Sequence, residues 1–136
     1  MGSKYINAMQ QKETMKQLRD RLILLREQYD RGARMRGAVA FMHSSPLHYL
    51  IMLEVATACL GNKCLNFEGI VKRIPTKYGS RSTINTLLVD YVARGYFGKD
   101  VNPGDKRSKV YCATKETLKD LNIMIENSTR MLKVVA

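Results

Sequence analysis

No run in this 136-residue sequence approaches the roughly 18 consecutive apolar residues that a membrane-spanning helix requires. The N-terminus also lacks the apolar core of a secretory leader, so a cytoplasmic, nucleoid-associated protein is expected. Met1, Gly2 and Ser3 open like a myristoylation signal, but Ile6 stands where that signal needs Ser or Thr, which argues against a lipid anchor. There is no nucleophile elbow, no Gly-rich phosphate loop and no His-Glu metalloenzyme motif, and the acids are scattered singly; an enzyme is not expected. The three cysteines, Cys59, Cys64 and Cys112, make no two-residue metal-ligand spacing and leave one over from any pair. The economical reading is reduced thiols with no metal and no cofactor. His43 and His48 lie five apart with no Cys, Asp or Glu at a companion spacing, which gives a metal site little support there as well.

What the chain has in excess is positive charge. Lys and Arg number 23 against 12 acids, a formal net charge of +11. The excess is uneven: residues 1 to 36 carry nine cations against four acids and residues 63 to 115 carry eleven against four, whereas residues 116 to 136 balance three against three. Such a distribution favours an anionic partner, although many basic chains are merely soluble. With 45% hydrophobic residues and no repeat, low-complexity tract or linker, residues 1–136 read as a single domain able to bury a core without disulfide or metal staples.

The densest signal lies between Ser80 and Thr114. Ser80 is a good N-cap, because its hydroxyl can accept from an amide that a helix start leaves unpaired. Ile84, Leu87, Leu88, Tyr91 and Val92 recur at three- and four-residue steps, which leaves several of the side chains of Arg81, Ser82, Thr83, Asn85 and Thr86 toward solvent on the first turns. Gly95 stops the helix. Tyr96 and Phe97 then begin a strand, Asn102, Pro103, Gly104 and Asp105 make a turn, and Val110 to Ala113 return as a second strand, leaving Lys106, Arg107 and Lys109 at the hairpin tip. A capped helix followed by a basic hairpin describes a winged helix-turn-helix. Polar side chains on an exposed helix start suit base-edge reading in a major groove, and a basic hairpin suits phosphates or the minor groove beside it.

At this point the chain resembles the multiple antibiotic resistance regulator (MarR) family, through the helix RSTINTLLVDYVARGY and the wing NPGDKRSKVYCAT, in which Asn102, Pro103, Asp105, Lys106 and Arg107 fall in the family's order. The resemblance covers about residues 12 to 134, with its motif content between Tyr78 and Leu118. It implies a mainly α fold with a small β-hairpin wing: a helical dimerisation region over 12–42, a winged helix-turn-helix over 45–114 and a C-terminal dimerisation helix over 115–136. It further implies a homodimer on double-stranded DNA, with a recognition helix about 81–94 and a wing about 96–113, and a small-molecule effector. Arg107 takes a DNA-facing role from the family, with the Asp105 carboxylate placed to orient its guanidinium. Two departures stand out: PTKYG before Ser80 is longer than the family's tight turn, and the chain stops at Ala136, so the C-terminal region is short.

The remaining segments read as packing helices. Met15, Leu18, Leu22, Leu25 and Tyr29 form an a/d seam that faces either its own domain or a second chain, and Gly32 and Gly37 leave open whether one bent helix or two cover 12 to 42. Ser45 and Pro46 start an almost wholly apolar helix that Gly61 or Asn62 ends, and Asn66 caps a short helix over Phe67, Ile70, Val71 and Ile74. Thr114 caps a last amphipathic helix carrying Leu118, Leu121, Met124, Ile125, Met131 and Leu132. Leu18, Leu22, Leu25, Tyr29, Leu121, Ile125 and Leu132 are the expected dimerisation residues. Met35, Met42 and Met52 are core fillers or the lining of an effector pocket. Cys59 and Cys112 read as small buried hydrophobes, and Cys64, between Lys63 and a helix start, is the best placed of the three for redox sensing. Lys77, Lys99, Lys106 and Lys109 are expected to position the duplex through phosphates, and Arg81, Ser82, Thr83, Asn85 and Thr86 to set preference. Two other readings compete: a winged helix that docks acidic protein surfaces, and a DNA-binding architectural or replication accessory protein without sequence preference.

Overall fold

Four polar caps set the helix starts that organise this chain. In the computed structural model, which describes residues 8–135 and side chains through Arg130, Ser45 Oγ accepts from the His48 amide at 3.2 Å and Asn66 Oδ1 from the Gly69 amide at 2.8 Å. Ser80 Oγ accepts from the Thr83 amide at 3.2 Å, and Thr114 Oγ1 from the Thr117 amide at 3.4 Å. Met1, Gly2, Ser3 and Ile6, and the side chains of Met131 and Leu132, lie outside the described residues.

The elements run α1 (Ala8–Arg34), α2 (Ala38–Met42), α3 (Pro46–Leu60), β1 (Leu65–Asn66), α4 (Phe67–Arg73), a 3-10 turn (Thr76–Tyr78), α5 (Arg81–Ala93), β2 (Phe97–Asn102), β3 (Asp105–Ala113) and α6 (Lys115–Val135). The region over 12–42 is therefore two helices. Gly37, at φ 69°, supplies the left-handed residue that separates them. At the end of α3 the left-handed residue is Asn62, at φ 60°, while Gly61 keeps a negative φ of −88°. The strands form one antiparallel sheet in the order β1-β3-β2. Strand β3 begins at Asp105, five residues earlier than the apolar pattern indicates, because ladder pairing with β2 continues through the charged stretch: Val101 pairs with Lys109 and Asn102 with Asp105 across a bulge. Lys106, Arg107 and Lys109 thus stand along a strand, and the turn proper is Pro103 and Gly104.

The core is a single cluster. Val39, Met42, Ile51, Met52, Val55, Ile70, Ile84, Leu88, Tyr91 and Phe97 are almost fully buried in it, and Leu121 from α6 closes one side. Met42 and Met52 are core fillers, and only Met35 reaches a small crevice beside Gln28, Gly32 and Met124, of about 10 Å³. In α1, by contrast, only Leu24 and Gly32 are buried. Its link to the rest runs through Tyr29, whose hydroxyl donates to the His43 carbonyl at 2.9 Å, and Gln28, whose amide donates to the Ser128 carbonyl at 3.3 Å.

His43 is buried and locked. Its Nδ1 donates to the Val39 carbonyl at 2.6 Å, and its ring meets Tyr29 and Tyr49 edge-on at 4.7 and 5.3 Å. A Cβ at Gly32 would stand 2.5 Å from the Cε1 and Nε2 of that ring. Alanine ordinarily gains about 1 kcal/mol over glycine inside a helix, but here the overpacking cost of about 1–3 kcal/mol exceeds it. Gly32→Ala is therefore expected to lower the urea midpoint of unfolding, whereas Gly98→Ala, which meets nothing within 4 Å, should leave it nearly unchanged. A stabilised Gly32→Ala protein would show that the imidazole gives way.

Candidate nucleic-acid interface

Helices α4 and α5 and the 3-10 turn between them make the helix-turn-helix. Pro75 ends α4 one residue after Ile74, and the PTKYG segment is taken up as a single 3-10 turn with Pro75 at its start, so the longer connection is ordered rather than slack. Lys77 and Tyr78 are exposed on this turn, the Lys77 ammonium 5.1 Å from the Tyr78 ring centre.

Helix α5 buries Ile84, Leu87, Leu88 and Tyr91 and exposes Arg81, Ser82, Thr83, Asn85 and Thr86, as the three- and four-residue steps require. The exposed residues are not equally free. Thr83 Oγ1 lies 3.0 Å from the capping Ser80 Oγ, and Thr86 Oγ1 donates to the Ser82 carbonyl at 3.1 Å. Arg81 forms a forked pair with the Glu68 carboxylate of α4, one bond at 3.0 Å and a second, shorter one through Nη2, and its guanidinium lies 5.3 Å from the Phe67 ring centre. Its first role is thus to brace α5 against α4. The side chains of Ser82 and Asn85 have no partner among the described residues, so their hydrogen-bonding capacity is available to a ligand. Val89, exposed at 56%, continues the same face one turn beyond Asn85. The sequence pattern could have signalled it: Val89 is the one large apolar residue of this helix that falls off the buried steps, and an exposed aliphatic group there suits a thymine methyl.

The wing is the β2–β3 hairpin. Asp105 does not hold the Arg107 guanidinium; its Oδ1 accepts from the Arg107 backbone amide at 3.0 Å. Asn102 Oδ1 accepts from the Gly104 amide in the same manner, also at 3.0 Å. Both side chains are spent on shaping the turn, because an Asp or Asn oxygen two residues back reaches the backbone amide before it reaches the end of a long side chain. Residues paired across an antiparallel ladder share a face, so the pairs Lys99 with Tyr111 and Val101 with Lys109 put Lys99 and Lys109 on one side. Asp100 and Val110, paired with each other, fall on the other. The Lys99 ammonium lies 5.6 Å from the Tyr111 ring centre.

The cysteines depart most from the sequence reading of three reduced thiols. Cys64 and Cys112 are joined as a disulfide with Cα atoms 5.6 Å apart, and Cys59 is the free thiol. They are bridged because Cys64 continues the β1 register, in which Leu65 pairs with Tyr111, and so lies opposite Cys112. Among the described residues, no helix is long and apolar enough to cross a membrane.

No family model matches the sequence, and no curated protein matches it. Among solved structures, the YusO protein of Bacillus subtilis superposes with a TM-score of 0.55 at 12% identity over 90% of this chain and 80% of that one. BpsR of Bordetella bronchiseptica, a protein whose DNA binding is regulated by 6-hydroxynicotinic acid, gives a TM-score of 0.46 at 18% identity over 82% of this chain and 76% of its own. A MarR protein from Peptoclostridium difficile gives 0.44 at 16% identity over 94% and 71%. The likeness to YusO is one of fold, and α4, α5 and the β2–β3 hairpin together make a winged helix-turn-helix.

The Arg81–Glu68 pair predicts its own titration. The hydrogen bond from Arg81, and next to it the guanidinium charge, hold the Glu68 carboxyl below the ordinary carboxylate value. A depressed carboxylate contributes stability at pH values above its ordinary pKa, and the contribution is lost as pH falls through the lower, folded value. Both side chains are more than half exposed, so the effect on global stability is small. Carboxyl NMR titration should show Glu68 rising toward its ordinary value in Arg81→Ala. An unchanged Glu68 titration would mean that the pair does not persist in solution.

Proposed function

We propose that this MarR-like winged helix is a sequence-specific, double-stranded DNA-binding transcriptional regulator that acts as a homodimer, with α5 in the major groove and the wing on the minor groove or backbone. The observation that carries the proposal is the exposed face of α5: Ser82 and Asn85 with unspent polar groups, then Val89, on a helix whose other face is buried. A rigid helix that presents free donors and acceptors beside an aliphatic group is equipped for base edges. Lys77 before the helix and Lys99, Lys106, Arg107 and Lys109 after it supply charge for phosphates.

The dimer is proposed from the uncovered side of α1. Met15, Leu18, Leu22, Leu25 and Tyr29 form one stripe and remain 67, 51, 56, 58 and 50% exposed, and Ile125 on α6 remains 55% exposed. Leu121 is already buried within its own chain and is not available to a second copy. Covering the exposed parts of these side chains contributes on the order of 1 kcal/mol each. Over two copies that is comparable to the ~4–15 kcal/mol lost on association, so the dimer should depend on concentration. A two-fold arrangement would hold two α5 helices about one turn of duplex apart, roughly 34–36 Å.

Fluorescence titration of random and selected duplexes at two salt concentrations tests the reading. Asn85→Ala should weaken binding to a selected duplex by about 1–3 kcal/mol and leave random duplex nearly unaffected. Lys109→Ala should weaken both alike and reduce the salt slope by about one unit. Absence of binding at low salt would instead favour a protein-docking module, and equal competition by every sequence would favour an architectural role. Independently, sedimentation of the Leu22→Asp, Leu25→Asp double variant should show monomers where the unaltered protein shows dimers; a stable monomer of the unaltered protein at micromolar concentration would refute the dimer.

A further inference from the structure

The fold brings all three cysteines to one place. Cys59 stands on the last turn of α3, Cys64 just before β1 and Cys112 near the end of β3, yet their Sγ atoms all lie within 4.8 Å of one another. The convergence follows from backbone geometry. Asn62 in the left-handed region and the bond from the Lys63 amide to the Ala58 carbonyl, 2.9 Å, fold the chain back over the end of α3, and the β1–β3 register sets Cys64 opposite Cys112. The Cys59 thiol points at the Ala113 carbonyl, 3.9 Å away, beside Cys112. All three residues are half-buried, and Cys64 and Cys112 line an open cleft of about 740 Å³ together with Asn62, Lys63, Asp100 and Val110.

We propose that Cys59, Cys64 and Cys112 form a three-thiolate site for a thiophilic d10 cation when the Cys64–Cys112 bridge is reduced. A metal–sulfur bond of about 2.3 Å puts the sulfurs of a trigonal site about 4 Å apart; the Cys59 sulfur already lies within 4.8 Å of both bridged sulfurs, which reduction frees to separate. All-sulfur donors select soft ions and reject Mg²⁺ and Ca²⁺, which take oxygen. Among the described residues no His, Asp or Glu joins the three sulfurs. Cu⁺, which is satisfied by three sulfurs, therefore fits better than Zn²⁺, which needs a water as fourth ligand. Two equivalents of a small thiol reduce the bridge, delivering two electrons and two protons to Cys64 and Cys112 and leaving as their own disulfide. Three thiols then bind one cation and release three protons. The site is independent of whether the wing meets DNA.

The test uses the full-length protein, reduced and freed of metal, titrated anaerobically with Cu⁺ and in a second arm with Zn²⁺, each against a chromophoric chelator. The expected result is one ion per chain, an ultraviolet thiolate-to-copper band, and protection of three thiols from alkylation, all absent while the bridge is intact. Each of Cys59→Ser, Cys64→Ser and Cys112→Ser should lose more than the ~10–100-fold in affinity that removal of an outer-shell partner costs, with circular dichroism confirming the fold. Thiol protection is read on the unaltered chain, so a variant that misfolds does not decide the matter. Binding of either ion with all three thiols protected supports the site, with Cu⁺ or Zn²⁺ chosen by the tighter arm. Failure of both ions to bind, or protection of only two thiols with Cys59 still reactive, overturns it.

Discussion

The Tyr91 ring is where α5 is fixed to the rest of the domain. It is fully buried, its hydroxyl donates to the His48 carbonyl in the first turn of α3 at 2.7 Å, and it stacks on Phe97 of β2 with centroids 4.2 Å apart. Phe41 of α2 meets the same ring edge-on at 4.7 Å. Burial pushes the phenol pKa well up, so the hydroxyl remains a donor at any physiological pH. Four elements are thus tied through one side chain, and the rotation of α5 about its own axis is no longer free. That rotation decides which residues meet solvent. With Tyr91, Leu88, Leu87 and Ile84 inward, Ser82, Asn85 and Val89 have only one direction left.

The helix ends were legible in the sequence because their causes are local. Ser45, Asn66, Ser80 and Thr114 each bond an amide three residues on, and a cap followed by an apolar step needs no knowledge of the fold. The buried face of α5 was legible for the same reason. What escaped the sequence depends on elements meeting. Arg81 finds Glu68 thirteen residues back across the 3-10 turn, and no helical spacing announces such a pair. The early start of β3 was hidden because Lys106, Arg107 and Lys109 break the apolar alternation that marks a strand, while the ladder to β2 supplies the pairing regardless. The cysteine cluster joins α3, the strand after it and a strand about fifty residues on, and its spacing means nothing until the β1–β3 register is known.

Helix α1 is the other constraint on function. A 27-residue helix that buries two residues in its own chain is held by few contacts and keeps an apolar stripe in water. Such a helix is the part of the fold most in need of a partner, and the one through which pairing would set the distance between two reading heads. The bracing of α5 by Arg81 and the uncovered face of α1 serve one proposal: each copy holds its reading helix rigidly, and the second copy sets where the next one stands.

The central claim is that α5 reads duplex sequence from a two-fold dimer, and selection of bound duplexes from a random library tests it most directly. The account predicts recovery of an inverted repeat with half-site centres about one helical turn, ~10 base pairs, apart. Recovery of single, unpaired sites would contradict the dimer, and recovery of no preferred sequence from a protein that binds would contradict base reading by Asn85 and its neighbours.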